Sequence, residues 1–250
     1  MNYSTTARQF IADGYSVIRL QLDGTKSPVG EWKPYTHRTA TDYELQTWFS
    51  SGECGIGVVG GAISGNLHII DFDHDSEKLF TQFWTDAQAV CLGITDRLLV
   101  VQTPRPGRQV WFRQASVPPN SQTLAWTKPL PIENDSDQLQ PQVAIETRGS
   151  NSYACAVGTH PATHPTGQPY RLIHGQFNNL PQLSDNDATA MLDICRSYSR
   201  WQPQNVQRHA GNPYQGEPRP GDVFNQQADL LQLLLDLNQA FAATGNGPVF

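Results

Sequence analysis

An apolar run that closes on aspartates is the most chemically suggestive stretch of the chain. Leu67-His68-Ile69-Ile70-Asp71-Phe72-Asp73 ends in alternating carboxylates and continues into His74 and Asp75. It reads as a buried strand that delivers acid to a site. Successive side chains on a strand point to opposite faces, so Asp71 and Asp73 share a face, about 6.6 Å apart along the chain. Carboxylates held together repel, and each resists ionisation unless a cation offsets the charge. Divalent metal ions are the simplest such cations. Two-metal phosphoryl-transfer sites hold their ions roughly 3.5 to 4 Å apart with carboxylates of this kind. A strand end with solvated aspartates is the alternative, and an Asp-x-Asp pair alone does not separate the two.

Other residues point the same way. Val143-Ala144-Ile145-Glu146-Thr147-Arg148-Gly149 is a second strand pattern ending in an acid, so Glu146 brings a third carboxylate to a strand end. The chain has four lysines and thirteen arginines. Arginine's planar fork suits bidentate phosphate contacts, and Arg105, Arg108, Arg113 and Arg148 all fall beside the motifs. Lys26 lies in a Gly/Pro-punctuated loop, Asp23 to Trp32, where it can reach a phosphate or stay solvated. The glycine-rich stretch Gly55 to Gly65, which includes Ser64, lets backbone amides approach a ligand or makes a tight hairpin into the acidic strand. His160 and His164 occupy a turn-rich loop and read as local hydrogen-bonding residues. Trp32, Trp48, Phe49 and Trp111 read as packing residues rather than base-stacking platforms.

The elements needed to position these groups are visible in outline. A weak helix over Thr5–Ala12 is followed by a strand over Tyr15–Leu20. Thr41-Asp42-Tyr43-Glu44 is a capping box that starts a helix to about Phe49. Leu79, Phe80, Phe83, Trp84, Ala87 and Val90 have the spacing of a crossover helix over Ser76 to Leu92. Leu98–Thr103 and Gln109–Arg113 form a hairpin around Pro104-Arg105-Pro106-Gly107-Arg108. Residues 116–142 read as a long irregular excursion with at most one short element, and Tyr153–Val157 as the hairpin partner of the Glu146 strand. A strand over Gln168–Ile173 precedes a helix from Ser184 to about Tyr198. Residues 1–200 are thus expected to form a catalytic domain, 201–221 a linker rich in Gln, Pro, Asn and Gly, and 222–250 a C-terminal helical segment bearing Leu230, Leu231, Leu234, Leu235 and Phe241.

Composition narrows the class. At 250 residues the chain can bury a proper core. A net charge of −6 excludes a surface coated with positive potential, so any nucleic-acid contact must come from a local patch. No apolar run reaches about 18 residues, which excludes a transmembrane helix. Met1 to Arg8 lacks a basic head followed by an apolar core, so no signal peptide and a cytoplasmic location are expected. Cys54, Cys91, Cys155 and Cys195 are scattered and make no Cys-x-x-Cys pair, so buried free thiols are expected and zinc is not.

Taken in order, Lys26-Ser27-Pro28 with Trp32, Gly55 to Gly61 with Ser64-Gly65, Ile69 to Asp73, Thr103 to Arg108, Ile145 to Gly149, Tyr153, and His164 to Tyr170 resemble the primase-polymerase domain of the archaeo-eukaryotic primase superfamily. The resemblance covers most of the chain. Arg219 to Asn225 resembles the segment that joins such domains to the next part of the protein. The family implies an α+β fold, a mixed sheet of RNA-recognition-motif-like type with an additional α/β subdomain. It implies that Asp71, Asp73 and Glu146 are catalytic and hold two Mg²⁺ or Mn²⁺ ions, and that Lys26, Ser64, Gly65, Arg108, Gln109 and Arg148 bind the nucleotide. The substrates implied are an NTP or dNTP and a primed single-stranded DNA template, in replication of a plasmid, phage or mobile element, with a helicase or a C-terminal continuation as a partner. The chain departs from the family in one place. Gln109 stands where a histidine is usual, and it hydrogen-bonds without charge. A catalytically degenerate nucleic-acid-binding module and a metal-dependent nuclease or phosphotransferase are the competing readings.

Overall fold

The computed structural model describes residues 2–50, 52–91, 93–132 and 135–202. Those residues form an α+β fold: α1 (Tyr3–Ala12), β1 (Ser16–Leu20), α2 (Asp42–Trp48), β2 (Gly55–Val59), β3 (Leu67–Phe72), α3 (Ser76–Val90), β4 (Leu99–Gln102), β5 (Arg108–Gln114), β6 (Thr123–Trp126), β7 (Leu130–Ile132), β8 (Asp135–Gln140), β9 (Val143–Arg148), β10 (Tyr153–Cys155), β11 (Arg171–His174), β12 (Gln182–Leu183) and α4 (Asp185–Ser197). Apart from Trp201 and Gln202, the expected linker and C-terminal helical segment lie outside the described residues.

The larger sheet runs β11-β4-β5-β3-β9-β6, with β12 added in parallel to β5, and the smaller runs β1-β2-β10. β3 is central, antiparallel to β5 on one side and to β9 on the other. That position explains its sequence: every residue from Leu67 to Phe72 is buried, so the apolar run shows no alternation. On one face Ile70, Phe72, Val110, Phe112 and Ile145 pack against Leu79, Phe83 and Ala87 of α3 and Ala188, Met191 and Leu192 of α4. On the other face Leu67, Ile69, Val101 and Trp111 pack with Ala7 and Phe10 of α1, the small sheet and Leu45 of α2. The α2 capping box forms as its sequence predicts: the Thr41 hydroxyl accepts from the Glu44 amide, and Glu44 accepts from the Thr41 amide. All four cysteines are buried free thiols.

Three sequence expectations are corrected. Gly55–Gly65 is not a hairpin into β3. β2 pairs with β1 and β10, and the glycines carry the chain from one sheet to the other, with Gly61 and Gly65 at φ of +84° and +67°. Ser64 ties this crossing, its hydroxyl donating to the Val59 carbonyl and accepting from the Ser16 amide. β10 likewise leaves β9 to pair with β2, because the chain crosses between sheets through Gly149. Residues 116–142, expected to be irregular, contain β6, β7 and β8. β6 extends the large sheet beside β9, and β7 and β8 pair only with each other. β6 has only four residues, and its buried Leu124 and Ala125 are adjacent rather than alternating, while the two-stranded ribbon β7-β8 carries a mostly polar sequence, so neither shows the period-2 pattern of a half-buried strand.

Candidate active site

The register of the large sheet assembles the site. Asp71 on β3 stands opposite Gln109 on β5 and opposite Glu146 on β9. Asp73 lies just past the end of β3, where its amide donates to the Ala144 carbonyl at 2.9 Å. One oxygen from each of Asp71, Asp73 and Glu146 lies within 4.8 Å of the others. Asp71 is buried, Glu146 half-buried and Asp73 exposed, so the cluster opens outward through Asp73.

The electrostatics call for a cation. Burial, then the neighbouring Asp73, push Asp71 up to about 7, with Glu146 adding to the rise and Arg148 opposing it. Burial also raises Glu146, again against Arg148. Arg148 pairs with Glu146, and its Nε stands 3.8 Å from Asp71 Oδ2. One guanidinium cannot match three acids. The buried Asp71 Oδ1 has no hydrogen-bond partner, the arrangement expected of an oxygen built to face a hard cation. The donor set therefore fits a divalent metal.

Gln109 is oriented from behind. The Trp111 indole N–H, a donor only, gives its proton to Gln109 Oε1 at 3.2 Å, so the Gln109 amide must donate from Nε2, and it does so to Asp71 Oδ2 at 3.2 Å. The glutamine is thus engaged with a carboxylate rather than free for a phosphate. Groups that orient metal ligands typically contribute 10- to 100-fold in metal affinity. Gln109→Leu is expected to weaken Mn²⁺ binding by about that factor in calorimetry. Gln109→His retains a donor and an acceptor and is expected to hold affinity to within about threefold.

Asp71, Gln109, Arg148 and Lys26 line one cavity of about 370 Å³ together with Trp32, Tyr153 and Tyr170. Lys26 sits at φ +60°, its carbonyl accepting from the Tyr153 hydroxyl at 3.1 Å. Trp111 is fully buried, as expected of a packing residue. Trp32 both packs on the core and borders the cavity, edge-on to Tyr153 at 5.1 Å. The structure does not bring Arg108 to the acids. Neighbours on a strand face opposite ways, so when Gln109 faces Asp71, Arg108 points to the α3 side, 5.9 Å from the Phe80 ring centre. Ser64 and Gly65 are also apart, since they precede β3 and the acids lie at its far end, about 20 Å along an extended strand.

The sequence reading gave two residues, His164 and Tyr170, no place at the site itself. Burial, Lys26 and Arg105, in that order, hold His164 down to about 4, so its ring is neutral. Its Nδ1 also makes the turn contact expected of it, 2.9 Å from the Thr166 hydroxyl. Tyr170 packs edge-on to that ring at 6.0 Å. Only the loop string His164 to Tyr170 hinted at them. His160 stays a turn residue, accepting from the Ala162 amide.

Comparison with known families adds a separate observation: residues 7–186, more than half of the chain, match the model of the bifunctional DNA primase/polymerase N-terminal domain, Prim-Pol. The chain belongs to the Prim-Pol family. No curated protein matches it. The span matched to Prim-Pol includes every member of the acid cluster and the lysine and arginine beside it. DNA and nucleotides are the substrates of the family. No described helix is long and apolar enough to cross a membrane.

Proposed function

We propose that this Prim-Pol domain is a template-directed DNA primase and polymerase, joining the α-phosphate of an NTP or dNTP to a 3'-hydroxyl. The observation that carries the reading is the buried, partnerless Asp71 Oδ1 in a three-carboxylate cluster beside Lys26 and Arg148. Asp71, Asp73 and Glu146 are the residues that would hold Mg²⁺ or Mn²⁺. Such ions, when bound, lower the pKa of the attacking hydroxyl and neutralise charge on the departing pyrophosphate. Lys26 and Arg148 orient the triphosphate in the cavity, and Gln109 keeps Asp71 aimed at it. Trp32 and Tyr153 wall the cavity and exclude water from the base and sugar.

The strand order β4-β5-β3-β9, with α3 crossing between β3 and β4, supports an RNA-recognition-motif-like core, to which the small sheet with α1 and α2 adds a second part. Residues 1–200 form the catalytic domain in this reading, and a helicase is a partner that would act with it. The protein acts in the cytoplasm on replicating DNA.

The test is extension of a primed single-stranded template with Mg²⁺ or Mn²⁺ and each nucleotide set, beside the Asp71→Ala/Asp73→Ala double variant. Product that disappears in the variant supports the reading, and repetition without primer tests priming. Strand cleavage in place of extension would move the assignment to a nuclease. Absence of product from both the natural protein and Gln109→His would leave a binding module.

A further inference from the structure

The chain has only four lysines, and Lys78 and Lys128 converge on one groove with Arg200. Lys78 is in the first turn of α3, Lys128 lies just past β6, and Arg200 just past α4. The groove, about 230 Å³, is also lined by Trp126, Tyr198 and Asp75. Its walls are held by the backbone: the Arg200 amide donates to the Trp126 carbonyl at 2.8 Å, and the Trp126 amide to the Ser199 hydroxyl at 3.0 Å. Trp201 packs edge-on to Trp126 at 5.5 Å, and the Tyr198 hydroxyl donates to Asp86 at 2.6 Å.

The three cations are exposed, and no ion pair joins any of them to a carboxylate of the described residues. In a protein of net charge −6, cations placed only for solubility would spread out or pair with the abundant acids. Here they surround a half-buried indole and a phenol. The volume is below the roughly 300 to 1,000 Å³ of small-molecule pockets, which suits a chain passing over the groove better than an enclosed ligand. Unpaired cations beside an aromatic face are what a single-stranded polynucleotide needs, phosphates on the former and a base on the latter. Asp75 is the one carboxylate in the lining. It is shared, with Lys78, by a second cavity of about 740 Å³ that reaches Asp73 of the acid cluster. The groove and that cavity thus adjoin at the first turn of α3, and the cavity, which also carries Glu77, borders the acid cluster at Asp73.

We propose that the groove of Lys78, Trp126, Lys128, Tyr198 and Arg200 binds unpaired DNA and guides the template strand to the acid centre. The word template rests on the polymerase reading above. The binding does not.

The full chain, in EDTA and without nucleotide, is titrated into a labelled oligothymidylate of about 20 nucleotides and monitored by anisotropy and tryptophan fluorescence. The triple variant Lys78→Ala/Lys128→Ala/Arg200→Ala removes only exposed side chains and leaves the fold intact. It is expected to bind at least about tenfold more weakly, with the slope of log affinity against log salt reduced by about 2, as loss of three phosphate contacts on a single strand requires. DNA is expected to quench tryptophan in the natural protein, and Trp126→Phe to remove most of that quenching. In extension assays the triple variant should raise KM for template and leave kcat unchanged. Equal binding by the variant and the natural protein at every salt concentration overturns the proposal, as does failure of the natural protein to bind DNA. An equal loss of affinity for polyglutamate, with no quenching by DNA, also overturns it by showing a general anion surface. Weakened DNA binding by the variant in a protein that never extends a primer upholds the groove and removes the polymerase reading.

Discussion

Replacing Asp71 with asparagine is expected to abolish nucleotidyl transfer while making the metal-free protein more stable. Asp71 sits at the centre of the acid cluster, between Glu146 and Gln109 in adjacent strands, and supplies its buried oxygen. A metal-bound oxygen stabilises transition-state charge by several kcal/mol, so its loss should lower the rate by about 10³-fold or more. The same side chain is a burden without metal. Burial and Asp73 raise its folded-state pKa to about 7 from an unfolded value near 3.9. The folded state therefore takes up the proton first as pH falls, and the stability this group contributes is fully present below about pH 4 and lost as pH rises through about 7. Asparagine keeps the shape and an acceptor for Gln109 but has no charge to desolvate. Thermal melts in EDTA at pH 8 should show Asp71→Asn more stable by about 2 kcal/mol, or roughly 4 to 8 °C. The advantage should shrink toward pH 5, where the natural carboxyl is already protonated. A variant that is both inactive and less stable at pH 8 would mean that Asp71 is structural.

Gly149→Ala is expected to cost about 3 kcal/mol and lower the melting temperature by roughly 6 to 12 °C. Gly149 ends the Glu146 strand where the chain leaves the large sheet for the small one, and an added Cβ would overlap the Pro119 carbonyl oxygen. Gly60, on the neighbouring crossing, would in turn overlap the Gly149 carbonyl oxygen. Backbone against backbone cannot be relieved by a rotamer change. Arg148 directly precedes Gly149 and Glu146 lies three residues before it, so the displacement should also weaken metal binding. Gly30→Ala is the contrast: it has a φ of +75° and nothing within 4 Å of an added Cβ, so only the backbone penalty of about 1 kcal/mol applies. Urea denaturation of the two variants would separate the effects, and equal midpoints would show that the sheet crossing yields without cost.

The acids are arranged by strand register, and the register is held where glycine lets two sheets come into contact. A charged centre buried without its cation destabilises the fold, and the packing around Trp111, Ile69 and Val101 has to offset it.

The local features were legible in the order of residues. The apolar run before Asp71 marks a buried strand, the Thr41/Glu44 box starts a helix, the spacing from Leu79 to Ala87 makes an amphipathic helix, and Pro104 to Arg108 turns a hairpin. Each depends on residues a few positions apart, where backbone geometry alone couples type to conformation. The order of motifs also sufficed for family membership. Which strands are neighbours was set by the fold as a whole. It set Glu146 opposite Asp71, turned Arg108 away while turning Gln109 inward, moved β10 to the small sheet, made strands of residues 116–142 and gathered Lys78, Lys128 and Arg200. The physical reason is that alternation along a strand encodes which side chains share a face but not which strand lies alongside. Pairing is settled by burial and loop closure across the whole chain, and exposed edges and surface cations bury too little to leave a pattern in the sequence.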